Sequence, residues 1–220
     1  MCTVSWLHRP DGYHLFCNRD EKRARGIAEP PRLAGCDGSR YIAPVDSDFG
    51  GTWIAVNEHG VALCLLNRGS SPAARSRGHV IPDIIWVRSI DDCAFLLRHA
   101  DLTLFAPFML LMLEPGVPAA VASWDGFRLT MDGEARAPLT SSSYDPESVC
   151  EARLRQFARR APADPEALYR FHASHDGPSA AHAPCMHRAD AHTVSFSHVI
   201  VTEDEIRFEY LPAAPCARAA

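Results

Sequence analysis

The first twenty-one residues constrain the fold most strongly, because they predict a β-hairpin that starts at a cysteine. Residues 10–12 read Pro-Asp-Gly, a typical turn sequence in which proline fixes φ and glycine accepts a positive φ. β-Prone runs flank this turn on both sides. A two-residue loop pairs Cys2 with Glu21, and a three-residue loop pairs it with Asp20. In either register a thiol, two carboxylates and the guanidinium of Arg19 come together.

The position of Cys2 is typical of an N-terminal nucleophile that carries its own base. We expect removal of Met1, because the second residue is small, and removal leaves Cys2 with a thiol and a free α-amine. An α-amine titrates at about 7.7–8.0 and a thiol at about 8.5, so the amine can act as a general base near neutral pH. A neighbouring Arg19 is expected to favour the thiolate. The alternative is that Cys2 is an ordinary small residue on an edge strand.

The composition indicates a single globular domain, predicted over residues 1–211, with a frayed Ala/Pro-rich tail at 212–220. Apolar residues make up 47% of the chain, which is enough for a substantial core. The formal charge of −5 comes without a basic block, so nucleic acid is not an expected partner. Single, scattered cysteines, no signal peptide and a longest apolar run of only 104–113 predict a cytoplasmic protein without stable membrane insertion.

The order of strand and helix patterns predicts an α+β fold. Residues 22–33 show little periodicity and read as a loop, whereas residues 57–60 turn a second hairpin whose strands are covered on both faces. Further strands are predicted at 105–113, 119–124, 127–131, 193–202 and 206–211. Helices are predicted at 82–90, 91–99, 146–160 and 164–174. Helix pairs between groups of strands favour antiparallel sheets stacked between helical layers.

The helix at 146–160 is predicted to be amphipathic. Its expected apolar face consists of Val149, Ala152, Leu154 and Phe157. Its expected solvent face includes Arg153 and three further charged residues. Asp91 is the predicted N-cap of the helix at 91–99. Asp164-Pro165-Glu166 is predicted to start the helix at 164–174, with proline in its first turn.

A series of short motifs along nearly the whole chain resembles one protein family. The motifs are Met1-Cys2, Asn18-Arg19-Asp20-Glu21, Gly50-Gly51-Thr52-Trp53, Asn57-Glu58-His59-Gly60, Asn67-Arg68, Trp124-Asp125-Gly126 and Leu139-Thr140-Ser141-Ser142. In this order they resemble a bacterial member of the NRDE, or transport-and-Golgi-organisation, family. That family in turn resembles the N-terminal-nucleophile hydrolases of the penicillin V acylase and bile salt hydrolase type. The resemblance implies a four-layer αββα sandwich and cleavage of a non-peptide C–N bond.

The resemblance also implies roles for individual residues. Cys2 matches the nucleophile, Asp20 the carboxylate that orients the α-amine, and Arg19 the cation beside the thiolate. Asn67 resembles the asparagine that donates into the oxyanion hole, a donor worth roughly 2.7–4 kcal/mol in other acyl-transfer enzymes. The structural alternatives are a plain Arg19–Asp20 ion pair and a turn role for Asn67.

Two positions depart from the acylase pattern. Ser141 stands where the acylases have an asparagine after Leu-Thr; a serine can still form a hydrogen bond there but reaches less far. The acylases also carry an arginine that enters a late strand. Its nearest matches here are His192 and Arg188, and a histidine would carry charge only at lower pH. The sequence leaves the choice between these two open.

Five histidines and one cysteine crowd the last third of the chain. They are His172, His175, His182, Cys185, His187 and His192. Such residues bind zinc or haem iron in other proteins. The spacing, however, matches no zinc module and contains no Cys-x-x-Cys. We therefore expect no metal and no other cofactor, and the alternative is a His-rich loop at the rim of the pocket.

Two functions follow from these residues. The first is a cysteine amidohydrolase that cleaves an amide of a small molecule. The alternative is a binding or trafficking protein that keeps the same fold, lacks turnover and handles a lipid or haem-like ligand. Residue 2 distinguishes them, because a retained Met1 converts the α-amine to an amide that cannot act as a base. The substrate and the homo-oligomeric state stay open.

Overall fold

The computed structural model describes residues 2–36, 38–69 and 71–219. The strands are β1 Cys2–Arg9, β2 Gly12–Lys22, β3 Glu29–Cys36, β4 Ser39–Val45, β5 Ile54–Asn57, β6 Ala62–Asn67, β7 Phe108–Leu113, β8 Ala120–Trp124, β9 Leu129–Asp132, β10 Leu139–Ser141, β11 Ala191–Val201 and β12 Ile206–Leu211. The α-helices are α1 Val80–Ile84, α2 Ile90–His99, α3 Pro146–Arg160 and α4 Pro165–His172. None of the helices in these ranges is long and apolar enough to cross a bilayer.

Two antiparallel sheets form the centre of the molecule. One has the strand order β10-β1-β2-β11-β12, and the other runs from β3 to β9 in chain order. Leu15 of the first sheet packs in one core with Ile54 and Leu111 of the second. Helices α1 and α2 cover the other face of the seven-stranded sheet, and α4 covers the other face of the five-stranded sheet together with α3. This arrangement confirms the predicted α+β fold with four αββα layers.

The first hairpin forms as predicted, but its register differs. Arg9 pairs with Gly12 and Cys2 pairs with Arg19, so the loop consists of residues 10–11. Gly12 belongs to the strand because β11 approaches it closely: a Cβ at Gly12 would lie 2.0 Å from the Val201 carbonyl oxygen. Since neighbouring side chains on a strand point to opposite faces, this register puts Arg19 on the same face as Cys2 and Asp20 on the other face.

Several predicted boundaries also change. Residues 22–33 are not all loop, because β3 begins at Glu29 and pairs with β4. The edge position of β3 tolerates its two prolines, since an edge strand leaves one row of N–H groups unpaired. Helix α1 starts at Val80 instead of residue 82 and ends at Ile84. Ser89 rather than Asp91 caps α2, as its Oγ accepts a hydrogen bond from the Asp92 N–H at 3.1 Å.

The hairpin around residues 57–60 and the helix over 146–160 are confirmed. Strands β5 and β6 of this hairpin are buried almost throughout. Helix α4 starts at Pro165, as predicted, and Asp164 caps it by accepting a hydrogen bond from the Ala167 N–H at 2.7 Å.

The C-terminal segment differs from the predicted frayed tail. Residues Pro215–Ala219 form a 3₁₀ turn. The Tyr169 hydroxyl of α4 donates to the Pro215 carbonyl at 2.7 Å, and Arg218 lies 3.6 Å from Glu209. These contacts hold the described part of the tail against α4 and β12.

Candidate active site

A cavity of about 270 Å³ brings together four of the seven predicted site residues. Cys2, Arg19, Asp20 and Asn67 all line it, and we call it the Cys2 cavity. Larger cavities of about 590 and 740 Å³ elsewhere contain none of the seven. The residue types at the smaller cavity can carry acyl transfer, so we place the candidate site there.

Cys2 is fixed by the strands on both sides of it. It pairs with Arg19 of β2 and with Ser141 of β10, and its backbone N–H donates to the Ser141 Oγ at 3.2 Å. A hydrogen bond with the thiol of Cys17, together with burial, raises the pKa of Cys2 well above its ordinary value. The resting residue is therefore a thiol, and it needs a base when it attacks.

Arg19 was predicted to favour the thiolate form of Cys2, but the Cys2 pKa is raised even though Arg19 lies beside it. Its Nη2 lies 2.7 Å from the Asp46 Oδ2 and 3.7 Å from the Glu21 Oε2, so carboxylates compensate its charge. The guanidinium also lies over the indole of Trp53, 4.4 Å from the ring centroid. These contacts replace the proposed Arg19–Asp20 ion pair, because the two side chains leave the sheet on opposite faces. Arg19 thus forms a fixed wall of the cavity beside Cys2.

Asp20 is fully buried and has its own partners. Its Oδ2 accepts a hydrogen bond from the Arg153 Nη1 at 3.3 Å, and its Oδ1 accepts one from the Thr193 Oγ1 at 2.7 Å. Burial raises the pKa of Asp20, and the charge of Arg153 opposes that rise. The carboxylate is thereby held in one orientation at the start of β1.

Arg153 is the site residue that the sequence analysis misplaced. It is fully buried, whereas Leu154, predicted to face the core, is 46% exposed. Besides Asp20, its Nη1 donates to the Thr3 Oγ1 at 2.7 Å and the Thr140 Oγ1 at 3.3 Å. The buried positions of α3 are 149, 152, 153 and 156, a regular i, i+3, i+4, i+7 stripe. That spacing could be read from the sequence, but the charge of Arg153 led to the prediction of a solvent-exposed position.

A second missed residue, Arg77, lies across the same cavity. Its Nη1 donates to the backbone carbonyls of Gly69 at 3.0 Å and Pro107 at 2.8 Å. Burial lowers the pKa of Arg77, while negative charge on Cys2 opposes that shift. Within the described ranges Arg77 forms no ion pair with a carboxylate. Its positive charge is therefore available to a ligand in the cavity.

Asn67 stands at the mouth of the cavity. It is the last residue of β6, pairs with Phe108 of β7, and has an exposed side chain. An exposed amide at the end of a buried strand can donate to a ligand without losing an internal partner. The placement is compatible with the oxyanion role that the resemblance implies.

Neither Arg188 nor His192 lines the Cys2 cavity. The Arg188 guanidinium pairs with Asp190 at 2.7 Å and lies over the ring of Tyr144. His192 lines a neighbouring cavity of about 300 Å³, and burial lowers its pKa, so it carries little charge at neutral pH. The predicted match of either residue to the late-strand arginine is not supported by this geometry. Arg77, in contrast, lines the cavity, and its Nη1 donates to backbone carbonyls.

The crowded histidines separate into different environments. His172 is a core residue: its Nε2 lies 2.8 Å from the Ser5 Oγ, and burial lowers its pKa from 6.5 to about 3. The ring of His182 bridges Ser148 at 3.0 Å and Ser179 at 2.8 Å. Neither His172 nor His182 lines the Cys2 cavity, so these two do not form the His-rich rim that was the alternative. The remaining candidates, His175, Cys185 and His187, lie apart from the Cys2 cavity.

Comparisons with known proteins give a family and a fold. The family "Transport and Golgi organisation 2" matches residues 1–126. A penicillin V acylase from Agrobacterium tumefaciens superposes with a TM-score of 0.60 at 9% identity, covering 97% of this chain and 83% of the acylase. A Caenorhabditis elegans orthologue of N-acylethanolamine-hydrolyzing acid amidase gives 0.67 at 11%, covering 96% and 100%.

A mutant of conjugated bile acid hydrolase from Clostridium perfringens gives a TM-score of 0.55 at 10% identity, covering 96% of this chain and 92% of the hydrolase. The comparison with curated proteins found no significant match. At these identities the likeness establishes the fold, which is that of N-terminal-nucleophile hydrolases.

Proposed function

The chain belongs to the transport and Golgi organisation 2 family, and from its fold and cavity we propose that it is a cysteine amidohydrolase that cleaves a non-peptide C–N bond. Cys2 is the nucleophile once Met1, which lies outside the described residues, has been removed. The observation that carries this proposal is that Cys2, Arg19, Asp20 and Asn67 line one cavity of about 270 Å³.

The raised pKa of Cys2 requires deprotonation during attack, and the α-amine of the same residue is the base. The Cys2 Sγ forms a bond to the amide carbonyl carbon while the thiol proton moves to the amine. Asp20, held by Arg153 and Thr193, orients the resulting ammonium. Ser141 holds the Cys2 backbone nitrogen at 3.2 Å.

The carbonyl oxygen becomes an oxyanion, which the side-chain N–H of Asn67 and a backbone N–H stabilise. As the tetrahedral intermediate collapses, the C–N bond breaks and the α-ammonium returns the proton to the leaving amine. A thioester remains on Cys2. Water then attacks it, with the α-amine again as base, and releases a carboxylic acid and the free thiol.

The cavity favours a small, polar substrate. Its volume of about 270 Å³ is below the ~300–1,000 Å³ that is typical of drug-sized ligands, and charged residues line much of it. Arg77 donates to two backbone carbonyls and keeps donors for a ligand. We therefore propose an N-acyl amide with an acidic group that reaches Arg77. This lining argues against the lipid- or haem-binding alternative.

The test is hydrolysis of a panel of small N-acyl amides that differ only in whether the amine part is acidic, neutral or apolar. We expect amine release by the protein that begins at Cys2, fastest for the acidic members and lost in Cys2→Ala. Cys150→Ala is the matched control, because that thiol lies outside the cavity. Equal release by Cys2→Ala, or no release from any member, contradicts the proposal.

A further inference from the structure

A second group of reactive side chains lies outside the Cys2 cavity. His175, Cys185, His187 and Cys216 place one nitrogen or sulfur atom each within 4.8 Å of all the others, and we call this group the His/Cys cluster. The Nε2 of His187 lies 3.4 Å from the Cys185 Sγ and 3.4 Å from the Cys216 Sγ. The four residues line a cavity of about 600 Å³ that shares no residue with the Cys2 cavity.

The fold brings the four residues together from three segments. His175 follows the end of α4, and the Cys185 N–H donates to the Ser174 carbonyl beside it at 3.0 Å. His187 forms a β-bridge with His192 at the start of β11. Cys216 lies in the C-terminal 3₁₀ turn, which the hydrogen bond from Tyr169 to Pro215 fastens to α4. These hydrogen bonds thus preform the cluster.

The distances fit tetrahedral coordination. Metal–sulfur bonds of about 2.3 Å and metal–nitrogen bonds of about 2.0–2.1 Å give a sulfur–nitrogen edge of about 3.6 Å in a tetrahedron. Both sulfur–nitrogen distances from the His187 Nε2, 3.4 Å each, are close to that edge. The rings of His175 and His187 meet at 69°, with centroids 5.1 Å apart, so their nitrogens can converge without stacking.

The chemistry of the donors selects the ion. Two thiols and two imidazoles are the ligand set of many structural zinc sites, and soft thiolates disfavour magnesium and calcium. Cys185 is buried, whereas the two histidines are exposed and Cys216 is half buried. An ion can therefore enter from the surface and become enclosed on one side by protein.

We propose that the His/Cys cluster is a tetrahedral site for a thiolate-preferring divalent cation, zinc above all, which ties the C-terminal turn to the loop after α4. All four protein ligands close the coordination shell, so the role is structural rather than catalytic. The site is independent of the proposed hydrolase function. It replaces the expectation of no metal, which rested on chain spacing and did not include Cys216.

The experiment is a titration of the reduced, metal-free full chain with Co²⁺, followed by displacement with Zn²⁺. We expect one equivalent of Co²⁺ with the visible bands of a tetrahedral ion and thiolate charge-transfer absorption. Cys216→Ser should lower the affinity more than about 100-fold, since loss of a ligand costs more than the 10–100-fold typical of losing an outer partner. Cys150→Ser and His99→Ala, which change a thiol and an imidazole outside the cluster, should bind as wild type does.

His175→Ala serves as a second variant, because His175 is exposed and its replacement should leave folding intact even where Cys216→Ser does not. An octahedral spectrum, absence of binding by wild type, or equal binding by the cluster variants and the controls would overturn the site. A Cys185–Cys216 disulfide that persists under reductant would overturn it as well, since no thiolates would remain. A melting temperature that falls on metal removal and recovers with Zn²⁺ supports the structural role.

Discussion

The Cys2 cavity and the His/Cys cluster both gather thiols and titratable groups, but they are assembled in different ways. Cys2 meets Arg19 through one hairpin, whereas the cluster needs α4, the segment before β11 and the C-terminal turn. In the cavity the charged partners are other protein side chains: Asp46 compensates Arg19, and Arg153 compensates Asp20. The cluster has thiols and imidazoles that an ion would bind. We propose that the first region handles a substrate and that the second stabilises the C-terminal turn.

The largest expected effect is the loss of acyl transfer on replacing Cys2, which should leave the His/Cys cluster unchanged. Cys2→Ala should lower acyl transfer about 10³-fold or more, because Cys2 is the one cysteine among the described residues that line the cavity. The Co²⁺ spectrum of the His/Cys cluster should stay unchanged in this variant. Single-turnover acylation and the Co²⁺ titration are measured on the same preparation. Retained acylation, or a lost spectrum, would break the distinction.

The next effect tests how much the Arg153 cation contributes to holding the buried Asp20 carboxylate, which also accepts a hydrogen bond from Thr193. Arg153→Met should lower the free energy of unfolding by about 3–5 kcal/mol, because it removes the cation that compensates the buried Asp20 carboxylate. Adding Asp20→Asn should restore part of that loss by removing the uncompensated charge. Urea unfolding measures wild type and both variants.

The matched control for this test is Arg155→Met on the same helix. Arg155 is exposed and pairs with Glu151 one turn away, so its loss should cost less than about 0.5 kcal/mol. Equal destabilisation by the two substitutions would show that the buried network is not what holds Asp20.

A third prediction sharpens the assignment of the cavity. Asn67→Ala should lower single-turnover acylation about 10²-fold or more by removing an oxyanion donor. The free energy of unfolding should stay nearly constant, since the Asn67 side chain is exposed. Arg68→Ala, the next residue along the chain and outside the cavity lining, is the control. Unchanged acylation in Asn67→Ala would remove this residue from the mechanism.

The last prediction distinguishes a core histidine from the cluster histidines. Burial lowers the pKa of His172 from 6.5 to about 3, so below pH 6.5 the unfolded chain binds a proton that the folded chain does not. The free energy of unfolding should therefore be highest above pH 6.5 and fall by about 1.4 kcal/mol per pH unit towards pH 4. His198, whose pKa burial lowers to about 4, adds a change of the same sign.

The variant His172→Gln should show a shallower decline of unfolding free energy between pH 6 and 4 than wild type, because one titrating group is gone. His99→Ala, at an exposed position, should keep the wild-type slope. Identical slopes for His172→Gln and wild type would mean that His172 is not buried in its neutral form.

The sequence predicted what local patterns determine. The first hairpin, the hairpin around residues 57–60 and helix 146–160 follow from turn chemistry and periodicity. The four αββα layers were implied by the family resemblance. The register of the first hairpin did not follow from local patterns, because it depends on the contact of Gly12 with β11. The partners of Asp20 were missed for the same reason: Arg153 and Thr193 are 133 and 173 residues away.

The His/Cys cluster illustrates the limit of spacing arguments more strongly. Cys185 and His187 form a recognisable pair, but Cys216 lies 29 residues beyond His187 in a segment predicted to be frayed. A spacing template cannot include a ligand from a segment whose position depends on tertiary packing. The exposure of Arg153 was mispredicted for a similar reason. A buried arginine needs hydrogen-bond partners, and those of Arg153 lie on strands far from its helix in the sequence.

The most direct test of the central claim is the intact mass of protein expressed with a free N-terminus, recorded before and after reaction with a thiol-acylating probe. The account predicts a chain that has lost Met1, gains one acyl group and carries it on the peptide that begins with Cys2. A chain that keeps Met1 and still acylates and turns over normally would contradict the N-terminal-nucleophile mechanism.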